Sequence, residues 1–430
     1  MVEASPQPKP SAPAAAPHAA FFRQSGWLMI SSIGSGVFMW AVHFLAKSQH
    51  VSAAEYGAFG VMLALAMCVP NMPMQMVFAQ QAARALATGR QRELAGMIRL
   101  AWIGTFVLAL LGAVAVFVWQ APILAAWKLP SATSLWITVA VMLLSLWLPM
   151  FLGLMQGQQN FFWMGWVNIV NGVARLGVAA MLVLVVGWAS VGMLTGVLAG
   201  LILAIAFGVW QTRELWSPAP QPFAWRELLG QIAPLMLGFG ALQFLFTADT
   251  MFVRAYFPED QTGFYVGAGT LSRALLWLVL PLATVMFPKI VHSAARSEKS
   301  NLLGVVLLGT GLLAAGGAVG LTVLGPWIVK FVFKDSFVAV AAKVLPWYAW
   351  AMVPLSLANA LVNGLLARSQ FRIVPILVLL AAAYGVALTH FHGSLITVLQ
   401  TLGVFNTLLF LASAWFTWRA GAGPKMEDRG

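Results

Sequence analysis

Charged residues inside long apolar stretches are the side chains of this sequence that could do chemistry. Asp249 lies in the apolar stretch Gly230–Phe257, and Arg273 lies in the next stretch, beyond the acidic turn Pro258-Glu259-Asp260. A charge in hydrocarbon costs roughly 2.5–3.5 kcal/mol on insertion scales, so it needs a partner or a water-filled cavity. Both residues lie about 10–13 residues from the turn, or about 15–20 Å along a helix. The sequence therefore predicts an Asp249–Arg273 pair between neighbouring helices, either as a structural bridge or as a switchable gate.

Helix-spaced polar residues mark one face of the apolar stretch Phe161–Val186. Asn168, Asn171 and Arg175 stand at positions i, i+3 and i+7, which lie on the same face of an α-helix. Such a face is not left toward lipid, so it meets other helices or water. The stripe predicts either hydrogen bonds that hold helices together or part of a substrate path. Because burial of a guanidinium group is costly, Arg175 favours the substrate path.

A second polar stripe begins at Gln243 and ends at Arg254, with members at i, i+4, i+7 and i+11 on one helical face. Asp249 lies about 120° from the centre of this stripe, at 100° per residue, so it does not share the same surface. We therefore expect Arg254 to lie at the outer rim of a cavity. Asp249 is expected to act as a latch, or as a carboxylate that senses protons or other ions.

Composition places the chain among multi-pass membrane proteins. Hydrophobic residues make up 61% of the 430 residues and charged residues 8%, against about 25% charged in an average soluble domain. The mean hydropathy is +0.86. A single cysteine, Cys68, excludes a disulfide framework. The sequence has neither a phosphate-binding glycine-rich loop nor a cluster with metal-ligand spacing, so we expect no enzyme activity, no cofactor and no metal.

The net charge of +12 bears on partners and on topology. The basic residues are scattered over short loops and form no separate basic domain, so nucleic acid is excluded as a partner. In a membrane protein the same excess favours anionic phosphate groups. Most lysines and arginines fall on one side when both termini are placed in the cytoplasm. The loops therefore predict an N-in, C-in topology.

Apolar stretches of about 20 residues predict an all-α polytopic protein with twelve transmembrane helices. The predicted helices are Phe22–Ala46, Glu55–Ala83, Met97–Trp119, Ala132–Met155, Phe161–Val186, Ser190–Thr212, Gly230–Phe257, Gln261–Pro288, Asn301–Leu324, Val338–Ala367, Phe371–His390 and Ser394–Trp418. The predicted order is a disordered cytoplasmic tail (1–20), a six-helix lobe (21–212), a cytoplasmic linker (213–229), a second six-helix lobe (230–418) and a cytoplasmic tail (419–430).

An internal repeat relates the two lobes. Residues 54–60 recur loosely as 261–267, residues 81–84 as 293–296, and residues 153–161 as 364–371, all with offsets near 210 residues. Six helices per half give both halves the same topology, so the two-fold axis should run along the membrane normal. Prolines at 70 and 73, and Pro281 in the second half, are expected to break or kink helices at corresponding positions.

The chain resembles the polysaccharide transporter (oligosaccharide flippase) family, in the superfamily that also holds multidrug-and-toxin extruders and lipid II flippases. The residues that carry the resemblance are Arg23, Glu55-Tyr-Gly57, Gly153–Phe161, Thr247-Ala-Asp-Thr-Met-Phe252 and Thr262-Gly-Phe-Tyr265. It implies a V-shaped pair of lobes around a cationic cavity in the bacterial inner membrane. The implied activity is alternating-access export of undecaprenyl-diphosphate-linked oligosaccharide for surface polysaccharide synthesis. This chain departs from many relatives in having twelve helices instead of fourteen.

The resemblance also implies site residues and partners. The expected substrate-binding residues are Arg23, Arg175, Arg254, Arg273, Asn168, Asn171 and Gln243, with Asp249 for gating or ion coupling. The expected partners are the lipid-linked oligosaccharide, membrane lipids, a polysaccharide polymerase and glycosyltransferases. Two alternatives stay open. One is a cation-coupled multidrug extruder centred on Asp249, and the other is a non-transporting scaffold for a glycan-synthesis complex.

Overall fold

Helices account for nearly all of the chain that the computed structural model describes, which is residues 17–129, 131–295 and 302–421, and no strand occurs in these ranges. The first half contains α1 (Pro17–Ala41), α2 (Ala53–Met67), α3 (Met72–Thr88), α4 (Gln91–Val118), α5 (Gln120–Ala126), α6 (Ala132–Gly157), α7 (Phe161–Met181) and α8 (Ser190–Trp216). The second half contains α9 (Trp225–Tyr256), α10 (Glu259–Ala295), α11 (Leu302–Val323), α12 (Gly325–Val332), α13 (Asp335–Ala367), α14 (Val374–His390) and α15 (Leu395–Gly421). A 3₁₀ segment, Val42–Lys47, continues α1, and a π-helical turn, Leu182–Val186, continues α7.

The transmembrane pattern confirms the predicted fold class. Within the described residues, eleven helical segments are long and apolar enough to cross a membrane, and α2 together with α3 forms one of them. The remaining predicted span, Gln261–Pro288, lies inside α10. Many large apolar side chains are exposed on the helix surfaces, as expected where the surrounding solvent is lipid. Helices α1–α8 form the N lobe and α9–α15 form the C lobe.

Several helix boundaries differ from the sequence prediction. The helix α1 begins at Pro17 and α9 begins at Trp225, inside the expected tail and linker. The predicted break before α3 is present, because α2 ends at Met67 and α3 begins at Met72. A break at Pro281 is absent, because α10 runs without interruption to Ala295, and the alternative of a kink at Pro281 stays a prediction.

Two short helices, α5 and α12, were not predicted, because seven and eight residues are too few to cross a bilayer. Each follows the third long helix of its half. Most of the two expected tails, residues 1–16 and 422–430, lies outside the described residues. The shared position of α5 and α12 fits the two-fold relation between the lobes.

The two ends of the helix bundle differ in how the lobes meet. The closed end holds the connections 48–52, 127–131, 257–258 and 333–334, and the linker end holds the connections 89–90, 217–224 and 368–370. At the closed end Lys334 donates to the carbonyl oxygen of Val51 at 2.7 Å, and Lys128 donates to that of Phe257 at 2.9 Å. Each of these bonds joins the N lobe to the C lobe.

Deeper inter-lobe contacts reach to about the middle of the helices. The amide of Gln243 donates to the carbonyl oxygen of Met67 at 3.0 Å, and the Cys68 sulfur lies 3.2 Å from the Thr247 hydroxyl. From there to the linker end, no hydrogen bond joins the lobes among the described residues. Among the described residues, the hydrogen bonds between the lobes are therefore confined to the half of the bundle that ends at the closed end.

Glycines allow α2 and α10 to cross closely at the closed end. A Cβ atom on Gly57 would lie 2.9 Å from the backbone nitrogen of Gly263, and one on Gly263 would overlap the carbonyl oxygen of Ala53. Small residues let helix backbones approach in this way inside a membrane. Gly57 and Gly263 belong to the two copies of the repeated motif, so the repeat sequences pack against each other across the lobe interface.

Replacing Gly263 with alanine should destabilise the protein by about 1–3 kcal/mol, the usual cost of overpacking. The measurement is the denaturation midpoint in detergent. Gly104→Ala in α4 is the matched control, because a Cβ there meets nothing within 4 Å, and Ala is favoured over Gly in a helix by roughly 0.5–1 kcal/mol. Equal midpoints for the two variants would contradict the close crossing.

Candidate functional site

The carboxylate of Asp249 lies at the centre of a polar cluster inside the C lobe. The residue is completely buried on α9. Its Oδ1 accepts a hydrogen bond from Arg273 on α10 at 2.8 Å. Its Oδ2 accepts hydrogen bonds from the hydroxyl of Tyr265 on α10, at 2.8 Å, and from that of Tyr348 on α13. The Asp249–Arg273 pair is therefore present as the sequence predicted, and both carboxylate oxygens are engaged.

The guanidinium group of Arg273 is equally well satisfied. It donates to the Thr250 hydroxyl at 2.9 Å and to the carbonyl oxygen of Phe246 at 3.2 Å. It also lies over the rings of Phe246 and Tyr348, at 5.3 Å and 5.4 Å from their centroids. A cation over an aromatic face gains electrostatic energy, and more so when desolvated. Because all these partners belong to the C lobe, the pair ties α9 to α10 and α13 and does not join the lobes.

The tyrosines of this cluster were missed by sequence reasoning. One signal was available, because Tyr265 and Arg273 stand at i and i+8 on α10 and so share a face. The chain has only five tyrosines. The contribution of Tyr348 from α13 depends on tertiary packing, which no local spacing reveals. The hydroxyl group of Tyr384, on α14, is also buried and has no partner among the described residues.

Arg175 in the N lobe differs from Arg273 in having no partner for its charge among the described residues. Its side chain is 7% exposed on α7, and it makes no hydrogen bond to any described residue. Its Nε atom is buried and unpartnered. Gly200 on α8 packs close by, since a Cβ there would lie 3.1 Å from the Cβ of Arg175. A buried guanidinium group without an acceptor is costly, so this position needs an anion or access to water.

The rest of the predicted N-lobe stripe lies beside Arg175. Asn171 is buried one turn away, and Asn168 is partly buried. The backbone carbonyl oxygen of Asn168 accepts a hydrogen bond from Ser35 on α1 at 2.6 Å. Arg23 precedes this point on α1, and its side chain lies outside the described residues. The structure thus keeps the N-lobe candidates together and apart from the Asp249 cluster.

Arg254 is completely buried, which corrects the expected position at a cavity rim. Its guanidinium group donates to the carbonyl oxygens of Trp127, at 2.8 Å, and Lys128 in the α5–α6 connection. It also contacts the carbonyl oxygen of Ala54 on α2 and, at 3.2 Å, a carboxylate oxygen of Glu259. Arg254 therefore fastens the C lobe to the N lobe at the closed end. The spacing of polar residues shows that this face has polar surroundings. It does not show whether water or backbone carbonyl groups provide them.

Gln243, at the other end of the same stripe, lies between the lobes. It is partly buried, and its side chain is bonded to the α2 backbone at Met67. One turn later, Thr247 contacts Cys68. Gln243, Thr247 and Arg254 on this face therefore contact the N lobe, whereas Thr250 is bonded to Arg273 in the C lobe.

His43, in the 3₁₀ segment after α1, is a buried polar residue that contacts the neighbouring helix. Its Nδ1 atom is 2.8 Å from the hydroxyl of Tyr56 on α2, which is 3.2 Å from the hydroxyl of Thr270 on α10. Thr270 precedes Arg273 by one helical turn. A line of polar side chains therefore runs from the N lobe across the interface to the Asp249 cluster.

Comparison with known proteins identifies the fold. No family model and no curated protein sequence matches the chain. An inward-facing MATE family multidrug resistance transporter of the MOP superfamily superposes with a TM-score of 0.73 at 9% identity, over 90% of this chain and 95% of that one. The lipid II flippase MurJ, in an inward closed conformation, superposes with a TM-score of 0.68 at 15% identity. The match covers 92% of this chain and 87% of that one. An outward-facing MATE family multidrug resistance transporter superposes with a TM-score of 0.59 at 13% identity. The match covers 95% of this chain and 97% of that one. The chain has the fold of MOP superfamily transporters.

Replacing Asp249 with asparagine should destabilise the protein by about 3–5 kcal/mol, because it leaves Arg273 buried without its counter-charge. The measurement is the denaturation midpoint of the detergent-solubilised chain. Asp335→Asn is the matched control, since its carboxylate is 80% exposed, 3.3 Å from Lys330, and such surface pairs contribute at most about 1 kcal/mol. A midpoint for Asp249→Asn equal to that of the control would show that the pair is not structural.

Proposed function

We propose that this chain is an alternating-access transporter that moves an undecaprenyl-diphosphate-linked oligosaccharide across the bacterial inner membrane. The observation that carries the proposal is Arg175, a buried N-lobe residue whose Nε atom has no acceptor among the described residues. A diphosphate offers pairs of charged oxygen acceptors that the planar guanidinium group can bind with two parallel hydrogen bonds. The multi-pass fold and its likeness to lipid II flippase MurJ support a transported lipid-linked substrate.

The balance of deep charges supports an anionic substrate. Asp249 and Arg273 neutralise each other, and Arg254 is held by carbonyl oxygens with a half-exposed Glu259. Arg175 then remains as a positive charge with no acidic partner among the residues that the structure describes. An acidic path, which would favour a cationic drug, is not what the described residues form. The lipid tail of the substrate would stay in the bilayer while its diphosphate enters between the lobes.

Alternating access follows from how the lobes are joined. In the present state the substrate would enter at the linker end, which the predicted topology places in the cytoplasm. Release requires the closed end to part. Apart from the carboxylate of Glu259, the hydrogen bonds there from Arg254, Lys128 and Lys334 are to backbone carbonyl oxygens. Such bonds contribute on the order of 1–3 kcal/mol net each when the donor is charged, because water can replace the protein acceptor. Opening of the closed end therefore costs only these net energies, which tighter binding of the substrate to the open state would have to offset.

A cation-coupled multidrug extruder is the second candidate, because MATE family transporters share the fold. It needs a carboxylate with free oxygen atoms in the translocation path. Asp249 has both oxygens bonded to donors from its own lobe, which disfavours that role. A non-transporting scaffold is the third candidate. Association with a polysaccharide polymerase and glycosyltransferases would accompany the first and third candidates.

The Arg175→Gln variant should flip a polyprenyl-diphosphate oligosaccharide in proteoliposomes at least about tenfold more slowly than the wild type, because one charge-assisted contact of about 1.5–3 kcal/mol is lost. The matched control is Arg419→Gln, since Arg419 is exposed over Trp415. Its rate should equal that of the wild type.

Wild-type flipping in the Arg175→Gln variant would contradict the assigned role of Arg175. Absence of flipping in the wild type, together with proton-coupled drug export that Asp249→Asn abolishes, would favour the extruder. Absence of both activities, with intact polysaccharide export in cells carrying the variants, would favour the scaffold.

A further inference from the structure

The helix α4 is buried against its lobe at one end only. Its buried residues are confined to its first two turns, between Leu94 and Ile98. There Arg99 donates to the carbonyl oxygens of Trp216, Ser217 and Pro218, which fixes α4 to the end of α8. From Arg99 onward no residue of α4 is buried. Further along, Trp147 on α6 donates a hydrogen bond to the hydroxyl of Thr105 at 2.9 Å. A helix that is buried only at its base and partly exposed beyond it leaves a groove between itself and its neighbours.

The groove is occupied by an apolar cavity of about 400 Å³, within the size range of small-molecule sites. Its lining residues come from three helices of the N lobe and are Trp102, Ile103 and Phe106 on α4, Trp147 on α6, and Ile205 and Val209 on α8. None of them belongs to the site described above. The helix α4 packs mainly against α3, α5, α6 and α8, so the groove faces the bilayer and not the C lobe.

Two guanidinium groups stand at the linker end of this groove. On α8, Ile205, Val209 and Arg213 stand at i, i+4 and i+8, so the lining continues directly into Arg213. On α4, Arg99 precedes Ile103 by four residues in the same way. Arg213 is exposed, and its guanidinium group rests over the ring of Trp210 at 5.7 Å. One helical turn, about 6 Å, thus separates the apolar lining from positive charge.

We propose that this groove binds an anionic phospholipid, with an acyl chain in the cavity and the phosphate group at Arg213 and Arg99. The complementarity is both apolar and ionic, and basic pockets between transmembrane helices are suited to anionic head groups. The bilayer-facing position favours a resident lipid over the transported substrate, which must pass between the lobes. A chain in the groove would supply α4 with the packing that the described protein residues do not give it.

The test uses the purified full-length chain and compares binding of phosphatidylglycerol with binding of phosphatidylcholine by native mass spectrometry. We expect a preference of about fivefold or more for phosphatidylglycerol, the effect of one basic residue near a phosphate. Arg213→Gln should remove the preference, and Arg368→Gln, which changes an exposed arginine at the linker end of the C lobe, should keep it. Val209→Trp, which fills the groove, should abolish binding of both lipids at this site.

A photoactivatable phosphatidylglycerol with the reactive group on its acyl chain provides a readout that does not depend on the variants folding. Label on α4 or α8 next to the cavity supports the site, and label spread evenly over the lipid-facing helices overturns it. A retained preference in Arg213→Gln also overturns it. Displacement of the label by polyprenyl diphosphate would reassign the groove to the substrate tail. Glycerol phosphate, which has no chain, should not compete.

Discussion

A charge inside a membrane must find a counter-charge, a dipole or water, and the two lobes meet this constraint differently. In the C lobe, Asp249 and Arg273 neutralise each other within a shell of hydroxyl groups. At the lobe interface, Arg254 is surrounded by backbone carbonyl oxygens. In the N lobe, Arg175 is buried with no acceptor among the described residues. The Asp249–Arg273 pair supports a rigid C lobe, and the carbonyl contacts of Arg254 support an interface that can separate. The buried Arg175 supports binding of an anionic ligand.

The first motif of the internal repeat lies at the closed end, which must part in the proposed alternating-access motion. Gly57 and Gly263, from the two copies of one motif, let α2 and α10 approach across the interface. Around this crossing, most of the hydrogen bonds end on backbone carbonyl oxygens, which water can satisfy once the lobes separate. The C-lobe pair stays intact in such a motion, because none of its partners belongs to the N lobe. The line from His43 through Tyr56 to Thr270 is the place where the Asp249 cluster meets the moving interface.

Much of the fold was predictable because hydropathy over about 20 residues reports directly on membrane spans. The Asp249–Arg273 pair was predictable because both residues lie at the same depth below one turn. The position of Arg254 was not, since a helical stripe shows which residues share a face and not what that face contacts. The short helices α5 and α12 escaped prediction because their length gives no periodic signal.

The central claim is that the lobes exchange contact between the closed end and the linker end around an anionic lipid-linked substrate. Double electron–electron resonance tests it in nanodiscs on a cysteine-free background. One spin-label pair replaces the exposed Lys47 and Asp335 at the closed end, and a second replaces Arg90 and Arg368 at the linker end. With a polyprenyl-diphosphate oligosaccharide present, the account predicts a longer closed-end distance and a shorter linker-end distance. Without substrate, Arg254→Ala should likewise lengthen the closed-end distance and shorten the linker-end distance. Distances that stay unchanged under both conditions would contradict the account.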